Sequence, residues 1–118
     1  MTIINALASL AVTDIRVAKA WYVRLFGRAP DAEPMPSLLE WQFARGGRLQ
    51  VYELRERAGK GSVTLAITSL DEQIAALRDA GIAPGAPIVS EQARVLMIKD
   101  PDGNSLAFAE ALDPKMAR

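Results

Sequence analysis

A short pattern of residues occurs twice in this chain, and in the same order, which leaves 118 residues few architectures to choose from. Leu10-Ala11-Val12-Thr13-Asp14-Ile15 matches Leu65-Ala66-Ile67-Thr68-Ser69-Leu70 at an offset of 55. Each copy reads as an apolar strand running into a helix N-cap, Thr13 or Asp14 in the first and Ser69 in the second. Ser69 with Glu72 has the spacing of a capping box. The first predicted helix carries Val17, Trp21 and Leu25 on one stripe and Ala18, Tyr22 and Phe26 on the next. The second carries Leu70, Ile74 and Leu77. Both stop at glycine, Gly27 and Gly81, the residue suited to a left-handed C-terminal cap. Prolines follow at Pro30 and Pro84.

Three strands are predicted after each helix, over about 31–35, 38–44 and 48–54, then 86–90, 93–99 and 104–111. Gly46-Gly47 joins the last two of the first set. Asp100-Pro101-Asp102-Gly103-Asn104 joins the last two of the second. The final strands match at an offset of 57, Leu49 with Leu106 and Glu53 with Glu110. The organisation is strand–helix–strand–strand–strand, written twice. It forms one domain over 1–118, with module 1 at 1–57 and module 2 at 58–118. The fold class is α+β.

Composition removes whole classes of chemistry. There is no Cys and no His, so disulfides, thiolate nucleophiles, Cys-ligated metals and His-based triads are excluded. Fourteen basic residues balance fourteen acidic ones. That balance argues against nucleic acid and against polybasic membrane attachment. No apolar run reaches transmembrane length, and the apolar N-terminus reads as a strand. The expected location is cytoplasmic.

Two such modules, with the Asp100-Pro101-Asp102-Gly103-Asn104 turn before the last strand, resemble the vicinal oxygen chelate superfamily of glyoxalases, bleomycin-resistance proteins and dioxygenases. The resemblance covers nearly the whole chain. It implies two tandem βαβββ modules whose curved mixed sheets form an open cup, helices outside, with the ligand in the cup. It also implies a homodimer, with the cup shaped partly by the partner chain. In metal-dependent members the ligands come from the first and last strands of each module. Those positions fall on Leu7, Gln50, Ser62 and Ala107 here. A divalent ion needs several donors converging at about 2.0–2.2 Å, and leucine and alanine offer none. No metal and no cofactor are therefore expected.

The implied function is metal-independent binding, by sequestration, of a small molecule. The ligand-facing candidates are Leu7, Ser9, Gln50, Tyr52, Ser62, Thr64 and Ala107, and no residue is assigned a catalytic role. The alternative is a metal-independent enzyme of the same superfamily, lyase- or isomerase-like, acting on a small organic substrate. Trp41 and Phe43 read as core under the first helix, with a stacking wall as the alternative. Trp21 and Tyr22 read as core or interface. Arg94 reads as a rim residue near the cup. Strand alternation puts Glu53 opposite Gln50 and Glu110 opposite Ala107, away from the cup. Asp100 and Asp102 read as turn formers.

Overall fold

Among the described residues two α-helices and eight strands arise where the hydrophobic pattern predicts them. The computed structural model describes residues 2–115. The expected domain span also takes in residue 1 and residues 116–118, which lie outside the described residues. Module 1 runs β1 (Ala8–Val12), α1 (Ile15–Phe26), β2 (Ala32–Met35), β3 (Leu38–Gln42) and β4 (Arg48–Glu53). After a 3-10 turn at Arg55–Arg57, module 2 runs β5 (Ser62–Ile67), α2 (Leu70–Asp79), β6 (Ile88–Val89), β7 (Ala93–Lys99) and β8 (Ser105–Ala111). The sheets have the same order, β1-β4-β3-β2 and β5-β8-β7-β6. In each, the first strand pairs parallel to the last and the others pair antiparallel. The βαβββ duplication and the mixed sheets are thus as the sequence indicates.

The helix caps follow local chemistry. Asp14, not Thr13, caps α1, its carboxylate accepting from the backbone N–H of Arg16 at 2.9 Å. Ser69 Oγ accepts from Glu72 N–H at 3.2 Å to cap α2. Gly27 and Gly81 follow the helices at φ 70° and 74°, where a Cβ would be strained. At the end of α2, Ile82 N–H returns to Leu77 C=O and Gly81 N–H to Arg78 C=O. That pair of bonds is a Schellman closure, sealed by buried Leu77 and Ile82.

The helices share one side of the molecule, which measures 25 Å along its shortest axis. One helix layer on one sheet layer fills that depth. The core between them is continuous across both modules and includes Leu10, Val12, Tyr22, Trp41, Leu77 and Phe108. α1 turns Ala18, Tyr22 and Leu25 inward. Val17, expected on the apolar face, is 55% exposed. The reason is tertiary: the Tyr22 hydroxyl donates to Asp100 of module 2 at 2.8 Å, which fixes the helix rotation. Trp41 is fully buried and donates from Nε1 to the Arg28 carbonyl, so it belongs to the core.

The seam between modules is fastened by the Asp100–Asn104 turn. Asn104, fully buried, donates from Nδ2 to Ala11 C=O on β1 and accepts at Oδ1 from Gly61 N–H beside β5. Asp102 accepts from both the N–H and the hydroxyl of Thr13. Asp100 accepts from Asp102 N–H, from Asn104 N–H and Nδ2, and from Tyr22. Burial and the Asp100 carboxylate together hold the Tyr22 hydroxyl far above its ordinary pKa.

The offset of 57 maps this turn onto Phe43–Gly47, which has the same backbone shape. Gly46 and Gly103 adopt φ 93° and 98°. Phe43 N–H bonds Gly47 C=O as Asp100 N–H bonds Asn104 C=O. Asp100, Asp102 and Asn104 of the second copy stand where the first copy has Phe43, Arg45 and Gly47.

Candidate functional site

Strand alternation divides each sheet into a helix-facing side and an open side. On β1 and β4, Leu10, Val12, Leu49 and Val51 are fully buried. Ser9, Gln50 and Tyr52 face the other way and are more exposed. On β8, Leu106 and Phe108 face the helices, while Ser105, Ala107 and Ala109 lie on the open side. Ser62 and Thr64 are exposed on β5.

The register sets a polar row across three strands of module 1. Ser9 is the partner of Gln50 on the β1–β4 ladder, and Gln50 is the partner of Glu40 on the β4–β3 ladder. Gln50 Nε2 donates to Glu40 Oε1 at 3.1 Å, and Ser9 Oγ lies 3.5 Å from Gln50 Oε1. Arg48 Nη1 donates to Glu40 Oε2 at 2.8 Å. The Glu40 side chain is 8% exposed and that of Arg48 41%. A carboxylate so enclosed needs such partners, since an unpaired buried charge is costly. Sequence reading missed Glu40. The signal was there: counting outward from Arg45 at the centre of the turn pairs residue 40 with residue 50.

Beside this row is an open hollow of about 360 Å³, lined by Ser9, Met35, Ser37, Leu38, Gln50, Tyr52 and Glu53. A second hollow, about 390 Å³, is lined by Ala83, Met97, Ile98, Lys99 and Ser105. The first draws on module 1 and the second on module 2. Of the seven candidates, Ser9, Gln50 and Tyr52 meet at the first hollow. Leu7, just before β1, is 50% exposed and lines neither. Ser62, the β5 partner of Ser105, and Thr64, the partner of Ala107, also line neither, as does Ala107 itself.

The repeated glutamates have a local purpose. Glu53 accepts from Ile15 N–H at 3.0 Å and Glu110 from Leu70 N–H at 3.4 Å. Each therefore meets a free backbone donor in the first turn of its own module's helix, where a negative charge is favoured. Glu53 borders the hollow at the end of β4, while its carboxylate turns to α1, as strand alternation indicates. Arg94 is not at the open side. It reaches the start of α2, at 3.1 Å from Asp71 and 3.4 Å from Glu110. It is in phase with Leu96 and Ile98, so it belongs to the helix side.

The four positions corresponding to metal ligands do not fit a metal. Leu7 and Ala107 carry no donor, Ser62 offers a neutral hydroxyl, and the Gln50 amide faces Glu40. Among the described residues no three acidic side chains converge. A hydrogen-bonding recess with an apolar wall of Met35 and Leu38 can hold a small organic molecule.

No protein-family model matches the chain. No curated protein matches it either. Among solved structures, it is similar to a glyoxalase/bleomycin resistance protein from Catenulispora acidiphila, at 31% identity and a TM-score of 0.85, covering 92% of this chain and 99% of the other. It is similar to TnmS3, an antibiotic-binding protein from a Streptomyces species, at 25% identity and a TM-score of 0.76, covering 94% and 98%. The fold is shared with a bleomycin resistance determinant encoded on the transposon Tn5, at 19% identity and a TM-score of 0.77, covering 92% and 98%.

Proposed function

The chain belongs to the glyoxalase/bleomycin resistance family, and we propose that it is a metal-independent member that binds and sequesters a small organic molecule. One observation carries this reading. Where a metal-dependent relative needs donors, this chain has Leu7, Ser62 and Ala107, and beside the fourth position, Gln50, it has an open, polar-floored hollow. The likeness to an antibiotic-binding protein supports a ligand of that kind. The even charge balance and the absence, among the described residues, of a helix long and apolar enough to cross a membrane support neither nucleic acid nor membrane as partner. A cytoplasmic site of action is part of the proposal.

Homodimerisation completes it. The two hollows belong to different modules, and the open side exposes Leu7, Met35 and Met97, each about half or more. A second copy covering that side would bury this apolar surface and enclose the recesses. Leu7, Ser62, Thr64 and Ala107 would then join Ser9, Gln50 and Tyr52 as ligand-facing residues.

Native mass spectrometry of the protein purified from its own host tests both points. The expected result is twice the chain mass with a copurified small molecule. Monomer at micromolar concentration, together with turnover of the molecule it captures, would overturn sequestration in favour of an enzyme.

A further inference from the structure

We propose that Glu40 is a positioning residue which locks the Gln50 amide so that the hollow presents a hydrogen-bond acceptor and selects ligands carrying an N–H or O–H donor. The inference rests on the reading that the first hollow is the binding recess, and adds to it the chemistry of what is bound.

A glutamine amide has a donor end and an acceptor end, and turning it by half a rotation exchanges them. Usually nothing decides between the two. Here one end abuts the Glu40 carboxylate, 3.1 Å away on the adjacent strand. A carboxylate only accepts, so the NH2 must face Glu40 and the opposite arrangement would set two oxygens against each other. Arg48, at 2.8 Å from the other Glu40 oxygen, gives that enclosed carboxylate a charged partner. Gln50 Oε1 is thereby turned away from Glu40, to the Ser9 side. Its hydrogen-bond partner there among the described residues, the Ser9 hydroxyl, is at the limit of hydrogen bonding, 3.5 Å. The oxygen is left for a ligand donor.

The rest of the lining agrees. Among the described residues no lysine or arginine lines this hollow. A ligand with an apolar body against Met35 and Leu38, and a donor toward Gln50, matches these groups. The hydroxyls of Ser9, Ser37 and Tyr52 can rotate to donate or accept, so the fixed acceptor at Gln50 is the group that distinguishes a donor-bearing ligand.

Two neutral probes of similar size separate donor from acceptor without changing charge. Indole's polar group is an N–H donor, and quinoline's is an acceptor nitrogen. Binding is followed by NMR titration, using the Gln50 side-chain resonances to show that the probe occupies this hollow. Wild type should bind indole about twofold to tenfold more tightly than quinoline, the range a neutral hydrogen bond provides. In Glu40→Gln, the new amide no longer dictates the orientation of Gln50, and the two affinities should become equal. A structural role for Glu40 would instead weaken both probes alike.

An unchanged indole preference in Glu40→Gln, or no preference in wild type, overturns the inference while leaving the recess intact. Failure of both probes to shift Gln50 would count against the recess itself. The ligand-free spectrum then still decides the orientation. The Gln50 NH2 signals should lie away from those of a solvated glutamine in wild type and move to them in Glu40→Gln; solvated positions in wild type would refute the lock. If Glu40→Gln does not fold, Gln50→Met keeps the bulk and removes the acceptor, and persistence of the indole preference in it refutes the inference.

Discussion

Replacing Asn104 by alanine would remove three hydrogen bonds made by a fully buried side chain. Its amide joins Ala11 C=O at 2.8 Å, Asp100 at 2.8 Å and Gly61 N–H at 2.9 Å. Asp100 keeps three other donors, so its loss is mild, about 1 kcal/mol. Ala11 C=O and Gly61 N–H would lose their Asn104 partner, and an unpaired buried group costs about 1–3 kcal/mol. Gly61 is only half-buried and can regain water. The sum is a loss of about 2–5 kcal/mol, a large part of the roughly 5–15 kcal/mol that holds a domain together. Urea denaturation should show the midpoint falling with the slope unchanged, because the surface exposed on unfolding is the same. The internal control is Gly47→Ala, at the equivalent position of the first copy, where an added Cβ meets nothing within 4 Å. It should change stability by no more than about 0.5 kcal/mol. A loss below about 1 kcal/mol for Asn104→Ala, or an equal loss for Gly47→Ala, would refute the assignment of the seam to this side chain.

Tyr22 makes stability depend on alkaline pH. Its folded pKa is raised above the unfolded value of about 10, so its contribution is whole below pH 10 and is lost as pH climbs beyond it, by about 1.4 kcal/mol per pH unit. Denaturation at pH 9, 10 and 11 should show that slope in wild type and a shallower one in Tyr22→Phe. For any copurified ligand, Gln50→Ala should weaken calorimetric affinity by about threefold to a hundredfold, and Tyr52→Phe by up to about tenfold, with the backbone NMR spectrum preserved. Glu110→Gln, away from the hollow, should leave affinity unchanged. Dialysed protein incubated with zinc, nickel or manganese should retain well under one equivalent by elemental analysis, and a stoichiometric metal would overturn the metal-independent reading.

The strands were legible because alternation and turn residues agree; β7 matches its expected range, and β4 and β8 lie within a residue of theirs. β3 stops at Gln42, two residues short, because Phe43 is committed to the turn with Gly47. Ser9, Gln50 and Tyr52 could be placed on one face by counting in twos along strands that the repeat had already located. Glu40 needed a pairing between strands, which requires the turn centre as well as the period. The rotation of α1 depends on a bond from Tyr22 to a residue 78 positions away, and two adjoining apolar stripes give no hint of it. That Ser9, Gln50 and Tyr52 meet at one hollow while Leu7, Ser62, Thr64 and Ala107 line neither hollow is likewise a property of how the modules sit side by side, which no local pattern encodes.

The seam also dictates when the molecule can be finished. Thr13 and Asp102 are 89 residues apart, whereas Asp100 and Asn104, which build the turn, are 4 apart. Between these separations lie more than four doublings of loop length, about 2.5–3 kcal/mol of extra closure entropy. On a chain emerging from the ribosome, β1 and the start of α1 wait with an open edge until the Asp100–Asn104 turn has appeared. The hairpin of β7 and β8, synthesised long after β1, is the one that fastens it, so the earlier module stays provisional until the later one arrives.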